Sequence, residues 1–288
     1  MLYLVLRILA TVSFAHLMRL SQARTRSPMA AAALNYAVAA AGCGAWLWLA
    51  GRGAHPQTLL LGSLAGFTYV SSLVLMLPAM RASGVSVTGA ILQLSLMAPV
   101  PYSIWRFAEV PNSYQAVGIL LTLIALPILS ASTAVGGAGR IRLSPLVLVL
   151  FVSASGSQIL MKEFAATRPE VDRPLFSTAL FLAATLFTLL WMAATRDTGR
   201  TEPVQEGGVL LSEGVLGTVL GLVNVAQLLF LLLALRELPA VIVFPVSASL
   251  GVAVNVLASM LVWRERPSPA AWLGIVLAVA AVVLLNLK

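Results

Sequence analysis

The chain has 288 residues, of which 60% are apolar and 10% are charged, and its net charge is +8. A soluble globular domain is about 45–50% apolar and about 25% charged, so this composition excludes a soluble enzyme, a disordered protein and a nucleic-acid-binding domain. The apolar runs are about twenty residues long and do not alternate with period two, which favours transmembrane helices over a membrane barrel.

Ten apolar segments follow one another along the chain. They are 2–20, 29–50, 58–79, 84–105, 112–131, 144–162, 174–194, 209–235, 238–262 and 269–287. The gaps between them are short and hold most of the basic residues, where such residues anchor helix ends and set topology. The sequence therefore predicts an all-α integral membrane protein with ten transmembrane helices and no extramembrane domain.

The two halves of the chain resemble each other. At a shift of 156 residues a Glu-x-Pro pair and a glycine recur, with Glu265, Pro267 and Gly274 falling on Glu109, Pro111 and Gly118. At a shift of 155 residues two glycines and an arginine recur, with Gly217, Gly221 and Arg236 falling on Gly62, Gly66 and Arg81. These registers predict two five-helix repeats, 1–131 and 144–288, joined by a connecting loop, 132–143.

An odd number of helices in each repeat has a topological consequence. The second repeat must enter the membrane from the opposite side, so the two are inverted-topology repeats. This is a transporter architecture, in which the substrate binds between the halves near the midplane.

Three sequence stretches resemble those of a known family. Residues 263–274 read WRERPSPAAWLG and precede a wholly apolar helix, residues 107–111 read FAEVP before Gly118, and residues 156–162 read GSQILMK. They resemble the EamA-type signature of the drug/metabolite transporter superfamily, over essentially the whole chain. The resemblance implies a ten-helix transporter of a bacterial-type inner membrane, with both termini cytoplasmic, that exports or exchanges small metabolites.

Polar residues within the spans indicate which helices surround a cavity, because lipid-facing helices can be wholly apolar. They concentrate in the first, third, fourth, sixth, eighth and ninth segments. The predicted substrate-cavity residues are Arg7, His16, Tyr69, Ser72, Gln93, Gln158, Asn224, Gln227 and Asn255. The alternatives are hydrogen bonding between helices for the hydroxyl and amide groups, an interfacial position for His16, and snorkelling to the interface for Arg7.

Prolines inside the spans predict interruptions of the helices. Pro99, Pro101 and Pro245 lie in repeat-related segments, where broken helices indicate a binding site or gate; a simple kink is the alternative. Lys162 and Arg19 end their segments and are predicted to be anchors at the membrane interface.

No Asp or Glu lies deep within a predicted span. Proton coupling through a membrane carboxylate and a cationic substrate are therefore not favoured. Arg7 and His16 favour a neutral, zwitterionic or anionic solute, amino-acid-like in size, moved by alternating access in export, facilitated transport or exchange. One cysteine and two histidines predict no metal site, and no cofactor is expected.

Two other functions remain open. One is a flippase for a lipid-linked sugar or phosphate, with Arg7 and Arg19 holding the phosphate. The other is a structural membrane subunit that associates through Gly274 and Ala278. An intramembrane enzyme is not predicted, because there is no HExxH motif and no membrane carboxylate. The expected partners are a small-molecule substrate and the lipid bilayer, with no nucleic acid, and the chain is expected to be a monomer or weak homodimer.

The charge distribution and the family resemblance disagree about orientation. Outside Arg7, seven Lys and Arg residues lie on the N-terminal side of the predicted spans and ten lie on the other side. The positive-inside rule weakly favours an external N-terminus, whereas the resemblance implies that both termini are cytoplasmic. We adopt the cytoplasmic orientation as the prediction.

Overall fold

The fold is known from a computed structural model, which describes residues 1–25, 28–51, 53, 55–132, 144–195, 212–264 and 266–287. Within these residues the secondary structure consists of eleven α-helices and one short 3-10 helix. Parts of the predicted segments, repeats and motifs fall outside them, among them Glu265, residues 133–143 of the predicted connecting loop, residues 209–211 of the eighth segment, and residue 288.

The first half contains six helices. They are α1 (Leu2–Arg24), α2 (Pro28–Leu49), α3 (Pro56–Ser83), α4 (Val85–Ser95), α5 (Pro99–Phe107) and α6 (Ser113–Ser132). The second half contains five α-helices, with a 3-10 turn (Glu170–Asp172) before the second of them. They are α7 (Pro145–Thr167), α8 (Arg173–Thr195), α9 (Glu213–Glu237), α10 (Ala240–Val262) and α11 (Pro269–Leu285).

Serine caps define where several helices of the second half begin. The hydroxyls of Ser144, Ser212 and Ser268 accept hydrogen bonds from the backbone N–H groups at the start of α7, α9 and α11. Such caps satisfy amide groups that have no partner within the helix. Pro145 and Pro269 follow directly, at the first helical position, where proline is tolerated because its missing N–H has no role.

Eight helical stretches in the described residues are long and apolar enough to cross a membrane, with α4 and α5 together providing one of them. α6 and α11 contain shorter apolar stretches, Ser113–Leu129 and Pro269–Leu285. Many outward side chains are apolar, such as Leu222 and Val276, each 63% exposed. A surface of this kind suits hydrocarbon, so the expected class, an all-α integral membrane protein, agrees with the observed one.

The helices of the two halves interlock rather than forming two separate bundles. α3 packs on α7 and α8, and α9 packs on α1 and α2. α2 also contacts α8, and α6 contacts α11. Within this core the rings of Phe164 and Phe176 stack at 4.0 Å, which joins α7 to α8. The cavity described below therefore has walls from both halves.

Glycines allow the closest of these helix contacts. A Cβ atom at Gly221 would lie 2.8 Å from the carbonyl oxygen of Asn35 on α2, and a Cβ at Gly66 would overlap the Leu180 carbonyl on α8. Small residues at membrane helix interfaces let backbones approach in this way. The spacing of α3 from α8 and of α9 from α2 is thus set by residues without side chains.

The structure differs from the sequence prediction at two proline positions. The predicted segment 84–105 is two helices, because α4 ends at Ser95, residues 96–98 form a turn, and α5 begins at Pro99. Pro245, by contrast, lies inside a continuous α10, so the break predicted there is wrong. Proline removes one helical hydrogen bond, and the buried surroundings of residues 240–249 hold α10 together across that position.

Candidate functional site

A cavity of about 340 Å³ lies between the two halves. Its walls come from α1, α3, α4, α7, α9 and α10, together with Leu180 and Phe181 of α8 and with Leu96 after α4. The first six are the helices whose polar residues predicted a central cavity. α8 gave no such signal, because its contribution is wholly apolar.

Seven of the nine predicted cavity residues line this space. They are Arg7, Tyr69, Gln93, Gln158, Asn224, Gln227 and Asn255. His16 and Ser72 are not among the lining residues. The Nδ1 atom of His16 accepts a hydrogen bond of 2.9 Å from the Trp263 ring nitrogen, and the Ser72 hydroxyl donates to the Tyr69 carbonyl at 2.7 Å. Both contacts draw these polar groups toward helix neighbours, and a binding role for either residue stays a prediction.

Arg7 is the charged residue of the cavity lining. Its side chain is 7% exposed, so it does not snorkel to an interface, and no hydrogen bond or ion pair joins it to another described residue. The lining contains no Asp or Glu. Burying a cation without a counter-charge costs on the order of several kcal/mol, because the ion loses its hydration. The cavity therefore favours a negative group beside Arg7.

Amide and phenol groups form a hydrogen-bonded cluster in the cavity wall. The Asn224 amide donates to the Asn35 side-chain oxygen at 3.1 Å, and the Gln227 amide donates to the Asn224 oxygen at 2.7 Å. The Tyr69 hydroxyl also donates to the Asn224 oxygen, at 3.3 Å. These contacts join α2, α3 and α9. A buried polar group is expensive unless it is bonded, so the cluster holds its members in place while leaving three of them facing the cavity.

An ion pair ties three helices together beyond one end of the cavity. Glu109, which follows α5, pairs with Lys162 of α7, and its second oxygen accepts a 2.6 Å hydrogen bond from the Ala240 amide at the start of α10. Residues 240–249 of α10 are all buried, whereas residues 257–262 are partly or largely exposed. The helices are therefore packed more tightly around α10 at the Glu109 end than at its other end.

The chain resembles known proteins in both sequence and fold. A model described as the EamA-like transporter family matches residues 143–287, which is half of the chain. The chain belongs to the EamA-like transporter family. A protein of known crystal structure has the same fold, with a TM-score of 0.73 and 17% sequence identity over 99% of this chain and 95% of that one. No curated protein sequence gives a significant match. The EamA-type resemblance read from the motifs is thus confirmed.

The sequence of this EamA-like transporter did not predict the ion pair between Glu109 and Lys162. Lys162 was predicted to be an interfacial anchor, yet it is 3% exposed and paired with Glu109. The prediction is wrong because the partner is supplied by the other half of the chain, 53 residues away. The recurrence of a glutamate at positions 109 and 265 indicated that Glu109 has a structural role. Nothing in the sequence indicated that its partner is Lys162.

Proposed function

We propose that this EamA-like transporter moves a small neutral, zwitterionic or anionic metabolite across the membrane by alternating access, without a membrane carboxylate for proton coupling. One observation carries the proposal. The cavity between the halves is lined by a buried Arg7 that has no ion-pair or hydrogen-bond partner among the described residues, and by five side-chain amides, with no acidic side chain in the lining. Such a site can bind a polar solute of amino-acid size and offers no carboxylate that could carry a proton.

We further propose that the chain has ten spans in two inverted five-span repeats, 1–131 and 144–288, joined by 132–143. Helix contacts occur in pairs that exchange the halves, since α3 contacts α7 and α8 as α9 contacts α1 and α2. Close glycine contacts are paired in the same way. A Cβ at Gly118 would meet Leu285 at 2.8 Å, and a Cβ at Gly274 would meet Leu129 at 2.6 Å, and both pairs are related by 156 residues.

The turns after the fourth span of each proposed repeat also support a two-fold relation. Ala108 and Arg264 have left-handed φ angles of 53° and 54° and are 156 residues apart. Directly before them, Phe107 lies under the Lys162 ammonium at 5.1 Å, and Trp263 lies under the Arg19 guanidinium at 4.4 Å. The same turn and the same cation–π contact thus occur at both ends of the molecule.

This arrangement supports the proposed alternating access. Glu109 joins Lys162 to the start of α10, so in the proposed cycle that end opens when Glu109 leaves both partners. The related end contains Arg19 and Trp263. We propose that closure there replaces closure at Glu109 during transport.

Uptake into proteoliposomes tests the proposed function. We expect purified protein to take up at least one member of a labelled panel of neutral and aromatic amino acids and small organic anions, with no ion gradient. Empty liposomes give the background. A strict requirement for a proton gradient would contradict the uncoupled mechanism, and flipping of a labelled polyprenyl phosphate without any uptake would support the flippase instead.

A pair of glycine variants links that uptake to the cavity. Gly251 lines the cavity and Gly89 does not, and a Cβ added at either meets no atom within 4 Å. The Cβ of Gly251→Phe therefore has room, and its ring is expected to occupy part of the cavity and to lower uptake by about tenfold or more, equivalent to about 1.4 kcal/mol of binding. Gly89→Phe is the matched control. Equal uptake by the two variants would argue against this cavity as the substrate path.

Location and orientation are part of the proposal. We propose a bacterial-type inner membrane, cytoplasmic termini and a monomer or weak homodimer. A reporter enzyme that is active only outside the membrane, fused after Lys288, is expected to be inactive. A reporter that is active only in the cytoplasm, fused at the same place, is the control and is expected to be active; the reverse pattern would invert the topology.

A further inference from the structure

We propose that the substrate is an organic monocarboxylate that carries no compensating ammonium group, with its carboxylate bound to Arg7 and its apolar body against the apolar part of the cavity lining. This inference rests on the proposed function and narrows it to one chemical class.

The charge of the cavity comes from Arg7. This side chain is 7% exposed, and it lines the cavity without an ion-pair or hydrogen-bond partner among the described residues. Tyr69, the ionisable side chain that interacts with it electrostatically, is neutral when protonated. A guanidinium presents paired N–H donors that match the two oxygens of a carboxylate. The cavity therefore has the donor geometry and the charge for one carboxylate.

The single cation in the cavity lining limits the charge of the substrate. One cation balances one negative charge. A phosphate monoester carries about −1.5 to −2 at neutral pH, so it would leave negative charge unbalanced in a cavity with no second cation in its lining. A zwitterion would leave the Arg7 charge unbalanced, and its ammonium group would find no carboxylate. A monoanion is the species that makes the filled cavity neutral.

The other lining residues indicate what the rest of the substrate is like. Leu180, Phe181, Leu228 and Val252 give an apolar wall, which suits a hydrocarbon body. Gln158 and Asn255 also line the cavity, and each has a buried amide oxygen without a hydrogen-bond partner in the described structure. A hydroxyl on the substrate can donate to such an amide, whereas a bare hydrocarbon cannot. A short hydroxy acid with a branched apolar chain fits both features.

Three probes with one carbon skeleton test the assignment. They are 2-hydroxy-4-methylpentanoate, its uncharged carboxamide, and leucine, which replaces the hydroxyl with an ammonium group. Binding is measured by calorimetry on the purified full-length protein in lipid nanodiscs. We expect the hydroxy acid to bind about tenfold or more tightly than the carboxamide or leucine, because a charge-assisted hydrogen bond is stronger than a neutral one.

Variants of Arg7 separate charge from shape. Arg7→Gln is expected to weaken hydroxy-acid binding by about 10- to 100-fold while leaving carboxamide binding within about twofold, which also reports that the variant is folded. Arg7→Lys keeps the charge and is expected to retain part of the affinity. Arg81→Gln removes the same charge from an exposed side chain in the last turn of α3, outside the cavity lining, and is the matched control.

Several outcomes would overturn the inference. They are leucine binding as tightly as the hydroxy acid, unchanged hydroxy-acid binding in Arg7→Gln, equal loss in Arg81→Gln, and no binding of any of the three probes. If any of these occurs while the proteoliposome panel still shows uptake of another solute, the monocarboxylate class is wrong and the transporter function stands. Absence of uptake for every solute counts against the transporter function itself.

Discussion

Lys162→Met is expected to lower the free energy of unfolding by about 3–5 kcal/mol, the usual loss when one partner of a buried ion pair is removed. Lys162 is 3% exposed and pairs with Glu109, which would keep its charge and only the Ala240 amide as a partner. The measurement is denaturant or thermal unfolding in detergent micelles. Glu237→Gln is the control, because its contact with the chain's amino group is about half exposed on both sides and is worth under about 1 kcal/mol.

Lys162→Met is also expected to make the Glu109 end of the helix bundle open more readily. Ser103 on α5 is fully buried near that end, so Ser103→Cys, in a background without Cys43, reports its opening. We expect a membrane-impermeant maleimide to label this cysteine faster when Lys162 is methionine than when it is lysine. A stability loss below about 1 kcal/mol, together with unchanged labelling, would show that the Glu109–Lys162 pair does not hold the end closed.

Gly66→Ala is expected to destabilise the protein by about 3 kcal/mol or more, the upper range for overpacked cores. The new methyl group would overlap the Leu180 carbonyl, and a backbone atom cannot rotate away as a side chain can. α3 and α8 must therefore separate. Gly221→Ala, which meets the Asn35 carbonyl from the repeat-related position, is expected to behave alike.

Gly89→Ala is the matched control for both substitutions. No atom lies within 4 Å of its added Cβ, and alanine favours a helix over glycine by about 0.5–1 kcal/mol. Its unfolding temperature in micelles should therefore stay the same or rise. If Gly66→Ala were as stable as Gly89→Ala, the close contact of α3 with α8 would not be a determinant of the fold.

The sequence predicted the parts of the fold that depend on local composition. A run of about twenty apolar residues specifies a membrane span by itself, and a polar residue in such a run marks a helix beside the cavity. Arg7, Asn224 and Gln227 were found in this way. No comparable signal marks Leu180 or Phe181, because an apolar residue reads alike whether it faces lipid or a cavity.

The contacts that the local sequence did not predict depend on partners far away in the chain. His16 lies apart from the cavity lining because Trp263, 247 residues away, donates to it. Lys162 is buried because Glu109 reaches it from the other half. Pro99 and Pro245 have the same local chemistry, yet α5 starts at the first and α10 continues through the second. In each case packing between the halves decided an outcome that the local sequence left open.

The unequal shapes of α4–α5 and α10 give a geometric description of the transport cycle. In the proposed repeat, the turn at residues 96–98 corresponds to Val252–Val254, where α10 is unbroken. In the proposed cycle, the two halves exchange shapes, and with them the open and closed faces. The opposite state is then expected to have a straight helix over residues 85–107 and a bend at 252–254.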